Sequence, residues 1–272
     1  MTIEEYAKQQ IKSRIRVHFN KGTWWIQVKS FYCWPLYLFQ KIEPKKSFPI
    51  LYKAFIGYEH MVPNESVANA ILPIMCLENV KDYSLEKLPK KRRQIIRRGL
   101  ERVKIKRISD VNELINDGYK INVSAAPKQH WAGNHSSLLD FRKWKERINQ
   151  AFSFPAIEFW GAYNDKNKLI AWLKAYQVEN TMFISEEMSH ADYLTLYPND
   201  ALLFTFINRC KEVKDLGRIT FGLWCRKRSL NRFKESLGFK KVDFPIFRHI
   251  NPFVQLLIPF TRYKYYLEYK GK

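Results

Sequence analysis

The most constraining feature of this chain is the stretch from residue 157 to residue 186. Ile157–Tyr163, Lys168–Gln177 and Thr181–Glu186 are three runs rich in apolar and aromatic residues. They are tied by Asn164-Asp165-Lys166-Asn167 and by Glu179-Asn180. Turns this short, with Asn and Asp in them, reverse the chain at once, so the three runs are expected to pair as an antiparallel meander. After a loop at Met188–Asn199 the apolar period changes. A helix is expected from about Asp200 to Val213, broken at Leu216-Gly217. A strand at Ile219–Trp224, a helix at Ser229–Leu237 stopped by Gly238, and a last strand at Phe239–Phe244 follow. This order predicts an α/β (α+β) fold, a mixed, mostly antiparallel twisted sheet flanked by helices.

Upstream the signals are shorter. Ile3, Tyr6, Ala7 and Ile11 share a helical face, and Arg14–Phe19 and Trp24–Phe31 alternate around a turn at Asn20-Lys21-Gly22. Prolines at 35, 44 and 49 exclude long elements from 34–50. Residues 64–77 read as a short helix capped by Asn64 or Ser66. Val103–Ile108 reads as a strand, and Ser109-Asp110 caps a helix that ends at Gly118. Residues 122–137 read as irregular, and Leu138–Phe152 as a helix with Leu139, Phe141, Trp144, Ile148 and Phe152 as its apolar set. Phe260–Lys272 suits an edge strand or a short helix. A composition shift at residue 84 divides the chain into an N-terminal α/β extension, 1–83, and a main domain, 84–272.

Charge narrows the partners. Lys and Arg total 47 against 26 Asp and Glu, a formal net charge of +21. Ser84–Arg107 alone holds eleven basic and two acidic residues. A surplus of one sign cannot be neutralised by pairs four residues apart. It suits a polyanion: tRNA, the phosphates of acyl-CoA, an acyl carrier protein or anionic lipid headgroups. Pro89 fits the first turn of a helix whose apolar stripe is Ile96, Leu100 and Val103. Arg92, Arg93, Arg97 and Arg98 are the candidate nucleic-acid or phosphate contacts, and a solvated helix face is the alternative.

Several classes drop out. Cys33, Cys76, Cys210 and Cys225 show no CxxC spacing, which argues against a zinc ribbon or a disulfide scaffold and for a reducing compartment. His130 and His135 have no third ligand near them in sequence, so no metal site is expected. The N-terminus is acidic without an apolar core, and no run reaches membrane-span length. A cytoplasmic location is expected, with peripheral contact at the inner membrane face as its variant. No Ser/His/Asp, HExxH or Walker motif points to a protease, zinc hydrolase or NTPase.

Residues 103–243 resemble the GNAT acyltransferase superfamily. "YNDKNKLIAWLKAYQVENTMFI" is similar to its paired central strands, and "LNRFKESLGFKKV" to its closing helix-Gly-Phe-strand signature. Within it, Phe233-Lys234 and the Arg93–Arg98 helix resemble the Fem-type aminoacyltransferases. That resemblance implies that Phe233 and Lys234 lie against the reacting acyl group, Lys234 stabilising the oxyanion. It makes 1–83 a candidate reduced remnant of a first GNAT-like half.

The fold also implies a donor site at the start of the central helix, at Tyr197, Asn199 and Ala201. Arg226 and Arg228 are placed to meet donor phosphates or, on the bland reading, to sit in a solvated turn. Glu186, Glu187 and His190, at the end of the third strand, are the candidate bases, with a polar loop end as the alternative. Cys225 reads as a small buried hydrophobe. Leu196–Ala201 lacks the glycines that cradle a pyrophosphate, and Asp200 there would repel one. The closing helix has Lys234 in place of the usual tyrosine acid. Both departures shift the expected donor from acetyl-CoA toward aminoacyl-tRNA or another carrier.

The expected function is transfer of an acyl or aminoacyl group from aminoacyl-tRNA or acyl-CoA, each a co-substrate and neither a tightly bound cofactor, to an amine. Two alternatives stand beside it. One is an N-acyl amino acid synthase fed by acyl carrier protein, docked on the membrane through helix 89–102 and the aromatic run Phe31–Phe39. The other is a non-enzymatic nucleic-acid-binding protein on a degenerate GNAT fold.

Overall fold

A computed structural model describes residues 1–29, 31–129, 136–225 and 227–261. In chain order the elements are α1 (Ile3–Lys12), β1 (Val17–Asn20), β2 (Thr23–Lys29), β3 (Tyr32–Pro35), β4 (Gly57–Met61), β5 (Ala70–Leu77), α2 (Lys90–Arg102), β6 (Lys104–Arg107), α3 (Tyr119–Gln129), α4 (Phe141–Phe152), β7 (Ile157–Tyr163), β8 (Leu169–Val178), β9 (Thr181–Ser189), α5 (Pro198–Cys210), β10 (Arg218–Leu223), α6 (Arg228–Ser236), β11 (Lys240–Ile250) and α7 (Pro252–Thr261). Short helical turns join several of them. The chain packs as two compact units, Met1–Ile74 with Val242–Lys272, and Met75–Lys241.

In the first unit the strand order is β1-β2-β3-β4-β11. The expected hairpin is present, with Asn20 opposite Thr23 and positive φ at both Lys21 and Gly22. Two left-handed central residues match the twist of the flanking strands. Trp25 is fully buried with Cys33, Ile42 and Ala54. Glu59, buried on β4, accepts from Tyr32 Oη at 2.9 Å and Arg248 Nε at 2.6 Å. Those partners make a buried carboxylate tolerable.

In the second unit the order is β10-β9-β8-β7-β6, with β9 and β10 parallel and the meander antiparallel. β7 shows why the meander was readable. Phe159 and Tyr163 pack with Leu114, Trp144 and Trp172 on one face, whereas Trp160 and Ala162 face the core formed with α5 on the other. Strands buried on both faces read as near-continuous apolar runs. α6 ends as its sequence dictates. Gly238, at φ 93, donates to Glu235, and Phe239 N–H reaches back to the Lys234 carbonyl at 3.2 Å. This glycine-terminated cap, with Leu237 and Phe239 buried, fixes the helix that carries Lys234.

Some sequence expectations need correction. Residues 64–77 hold one helical turn, Glu65–Val67, with Asn64 capping Ser66, and then β5; the run AILPIMCL buries Ile74, Met75 and Cys76 as strand. Gly118 does not end its helix. It sits against Trp144, and α3 continues from it through Pro127 to Gln129, where an irregular segment was expected. Leu100 is exposed because α2 packs on α5 through Gly99, whose position faces Ala201 and the Tyr197 carbonyl. Ile11 is exposed too, and α1 buries Ala7, Gln9 and Gln10. α5 begins two residues early, at Pro198, and β11 runs on to Ile250. His130, Trp131, His135, Arg226 and residues 262–272 lie outside the described residues.

Candidate active site

β9 and β10 are held together over only three residue pairs, Thr181–Arg218, Met182–Ile219 and Phe183–Thr220. Beyond Phe183 the strands part. A β-bulge then reshapes β9: Lys174 pairs with Glu186 and Ala175 with Ile184, which leaves Ser185 extra. In a regular strand neighbouring side chains point to opposite faces. The bulge breaks that alternation, and Glu186 and Glu187 both line the opening. The result is a cleft of about 650 Å³ floored by Ile184–Met188 and closed by Leu138, Arg147, Asn199, Phe221, Gly222, Leu230, Phe233 and Lys234.

Lys234 is 5 % exposed, and its ammonium donates to the Phe221 carbonyl at 2.5 Å, just past the last residue of β10 paired with β9. Burial lowers its pKa, opposed by Cys225 and Glu187. The helix carrying it is clamped by a residue the sequence did not flag. Asn231, buried one turn earlier, accepts the Cys225 N–H at 3.1 Å and donates to the Cys225 carbonyl at 2.6 Å. Cys225 is half-buried.

Glu187 has an Oε1 sealed from solvent and, among the described residues, without a hydrogen-bond partner. Burial pushes its pKa up to about 8, against the pull of Lys234. Glu186 is the opposite case. Burial works against its charge, but Lys174 at 3.4 Å and Arg147 in direct contact outweigh it and hold the carboxyl below the usual range. Two adjacent glutamates thus have their affinities for a proton pushed apart. Neither Arg147 nor Lys174 stood out in sequence, because their partner lies on another strand or helix.

His190 is not among the lining residues. It caps the turn after β9, its Nδ1 accepting the Asp192 N–H at 3.3 Å and lying 3.2 Å from Ser124 Oγ. Burial lowers its pKa, with Asp192 opposing. Asn199 lines the cleft and is bonded to Ser189 Oγ. Tyr197 takes a left-handed backbone at the start of α5, and Ala201 is buried against α2. Arg228 is exposed at the start of α6.

Asp200 does not face the donor side as an open charge. It is buried and paired with Arg92, which also lies over the Phe233 ring at 5.2 Å. Arg93 donates to the carbonyls of Glu86 and Leu88, while Arg97 and Arg98 are exposed. Arg92→Met would leave a buried carboxylate without its partner. It is expected to lower the unfolding free energy by about 3–5 kcal/mol, with Arg92→Met/Asp200→Leu recovering most of the loss. Urea denaturation of the two variants measures both.

No protein-family profile and no curated protein matches the sequence. Solved structures do. The C-terminal DUF2156 domain assigned to a lysylphosphatidylglycerol synthetase from Agrobacterium fabrum superposes with a TM-score of 0.61 at 11 % identity, over 97 % of this chain and 96 % of that one. FemX superposes at 0.55 and 12 % identity, over 68 % of this chain and 63 % of FemX. The L-PGS of Bacillus licheniformis matches at 0.50 and 10 % identity, over 92 % of each. The fold is GNAT-like. In the second unit two strands part beside a closing helix that is followed by Leu237-Gly238-Phe239. Among the described residues no cluster of His, Cys, Asp and Glu suits a metal ion.

Proposed function

We propose that the second unit is an acyltransferase that moves an aminoacyl or acyl group from a carrier to an amine. The observation that carries this reading is the pairing, in one cleft between parting strands, of a buried ammonium with a buried carboxyl of raised pKa. The carrier's carbonyl carbon lies between them. Glu187, as carboxylate, takes a proton from the acceptor nitrogen as the N–C bond forms. The oxygen that becomes negative faces Lys234, whose ammonium keeps two N–H groups beyond the one given to Phe221. Collapse of the intermediate breaks the C–O bond to a tRNA ribose, or the C–S bond to a thiol, and the leaving atom recovers the proton. Phe233 walls the reacting group, and Arg92 behind it holds the ring in place.

Aminoacyl-tRNA is the favoured donor. α5 begins with a proline and lacks the glycine cradle of a pyrophosphate site, and Asp200 leaves a buried carboxylate in its first turn. The net charge of +21 and the exposed Arg97 and Arg98 suit a long polyanion. The resemblance to FemX and to lysylphosphatidylglycerol synthetases, proteins whose fold this chain shares, supports the same choice. The test supplies the purified protein with a charged tRNA pool or with acyl-CoA, plus hydroxylamine as a small amine. Aminoacyl or acyl hydroxamate should form with one donor above the blank. No hydroxamate from either, with amine acceptors of several sizes, sinks the reading.

A further inference from the structure

Large exposed apolar side chains cluster in the first unit. Phe31, Leu51, Tyr52, Phe55, Phe253 and Leu256 are each about half exposed or more, with Tyr52 at 71 % and Phe253 at 73 %. Backbone hydrogen bonds bring the three stretches that carry them together. The Phe31 carbonyl accepts the N–H of Ile56 at 2.9 Å. The Ile56 carbonyl accepts the N–H of Asn251 at 3.0 Å, and the Asn251 side chain accepts the N–H of Phe253, in the first turn of α7. Ile250 lies opposite Gly57 in the sheet. The connection after β2, the helical turn Leu51–Ala54 and the start of α7 therefore meet at one end of the unit. Phe31 holds a left-handed backbone, φ 58, that costs a non-glycine residue energy, and its ring stays half exposed there.

An exposed patch of this kind on one side of a protein marks an interaction surface. Its charge says which kind. No Asp or Glu occurs in residues 28–31, 50–56 or 251–261, while Lys29 and Lys53 do. Arg16 joins Phe31, Tyr52 and Lys53 around a cavity of about 410 Å³. Projecting aromatic and aliphatic side chains with Arg16 and Lys53 beside them complement the headgroup–acyl boundary of an anionic bilayer, where apolar groups enter and Lys and Arg meet phosphates. We infer that this end of the first unit seats on an anionic lipid surface through Tyr52, Phe55 and Phe253, with Lys53 and Arg16 facing the lipid phosphates. This contact needs no spanning helix, and among the described residues no helix is long and apolar enough to cross a membrane. It does not rest on the transfer reaction.

The full chain is mixed with vesicles of phosphatidylcholine alone, or of phosphatidylcholine with phosphatidylglycerol, and sedimented. It should bind the second and not the first, and salt should weaken binding. Tyr52→Ser/Phe55→Ser/Phe253→Ser should bind at least about tenfold more weakly. Lys53→Glu, which removes one cation and adds an anion, should cost about tenfold by itself. All the substituted side chains reach solvent, so thermal unfolding should stay close to that of the parent. No binding to the anionic vesicles, or a triple variant that binds as well as the parent, overturns the inference. A dimer in the ultracentrifuge that the triple variant abolishes, with no vesicle binding, assigns the face to a second copy of this chain instead.

Discussion

Lys234→Met is expected to lower kcat for acyl transfer by about 10²–10³-fold, the loss seen when one donor to a developing oxyanion is removed. The KM of the donor should change little, because the ammonium acts on charge that exists only in the transition state. Folding should survive. Lys234 is buried and its charge is disfavoured by that burial, so an apolar side chain of similar length removes a cost while it removes a function. What the fold loses is the charge-assisted bond to the Phe221 carbonyl, about 1.5–3 kcal/mol. Lys234→Arg should not restore the rate, since a planar fork cannot occupy the place of a compact ammonium. Steady-state rates with the hydroxamate assay, beside urea melts of the same preparations, separate catalysis from stability. A methionine variant that turns over at the parental rate removes Lys234 from the mechanism.

The same lysine shows how far sequence reaches. Lys234 stood out only through the resemblance of Phe233-Lys234 to the Fem-type enzymes; what local sequence rules supplied was the helix stop at Gly238, and that rule holds down to the capping bonds there. The meander was legible for a similar reason: its turns use Asn164, Asp165 and Asn167, and its strands alternate between two cores. Pairings between distant segments left no such trace. Arg92 and Asp200 are neighbours in space and 108 residues apart in sequence, so one looked like a free phosphate ligand and the other like a barrier to phosphate. Glu186 and Glu187 looked alike. Only the bulge at Ser185 and the approach of Arg147 and Lys174 make one a fixed anion and the other a carboxyl with a raised pKa. β5 was misread because its single helical turn carries a good cap while the buried strand after it has no clean alternation.

Glu187→Gln should make the protein more stable and less active, and both effects should depend on pH. In the folded chain the carboxyl holds its proton up to about pH 8, against an ordinary value of 4.5. Between those values the folded state carries a proton that the unfolded state has released. Stability must therefore fall as pH rises through this window, and the deficit is complete above the folded pKa. With ~1.4 kcal/mol for each unit, the deficit amounts to a few kcal/mol at the alkaline end. Glutamine fills the same space and does not titrate, so the variant should match the parent near about pH 5 and exceed it increasingly toward about pH 9. Urea midpoints at several pH values measure the divergence, and parallel curves contradict a buried, proton-holding Glu187. Activity runs the other way. With hydroxylamine, whose nitrogen is unprotonated at the alkaline end of the window where the carboxylate forms, parental kcat/KM should climb as the carboxylate forms and level off above about pH 8. The variant should lose this limb and about 10²–10⁴-fold in rate. In Lys234→Met the limb should move to higher pH, because the cation that favours the carboxylate is gone. A stabilised variant that keeps the parental pH profile would show that the carboxyl is buried beside the reaction and takes no part in it.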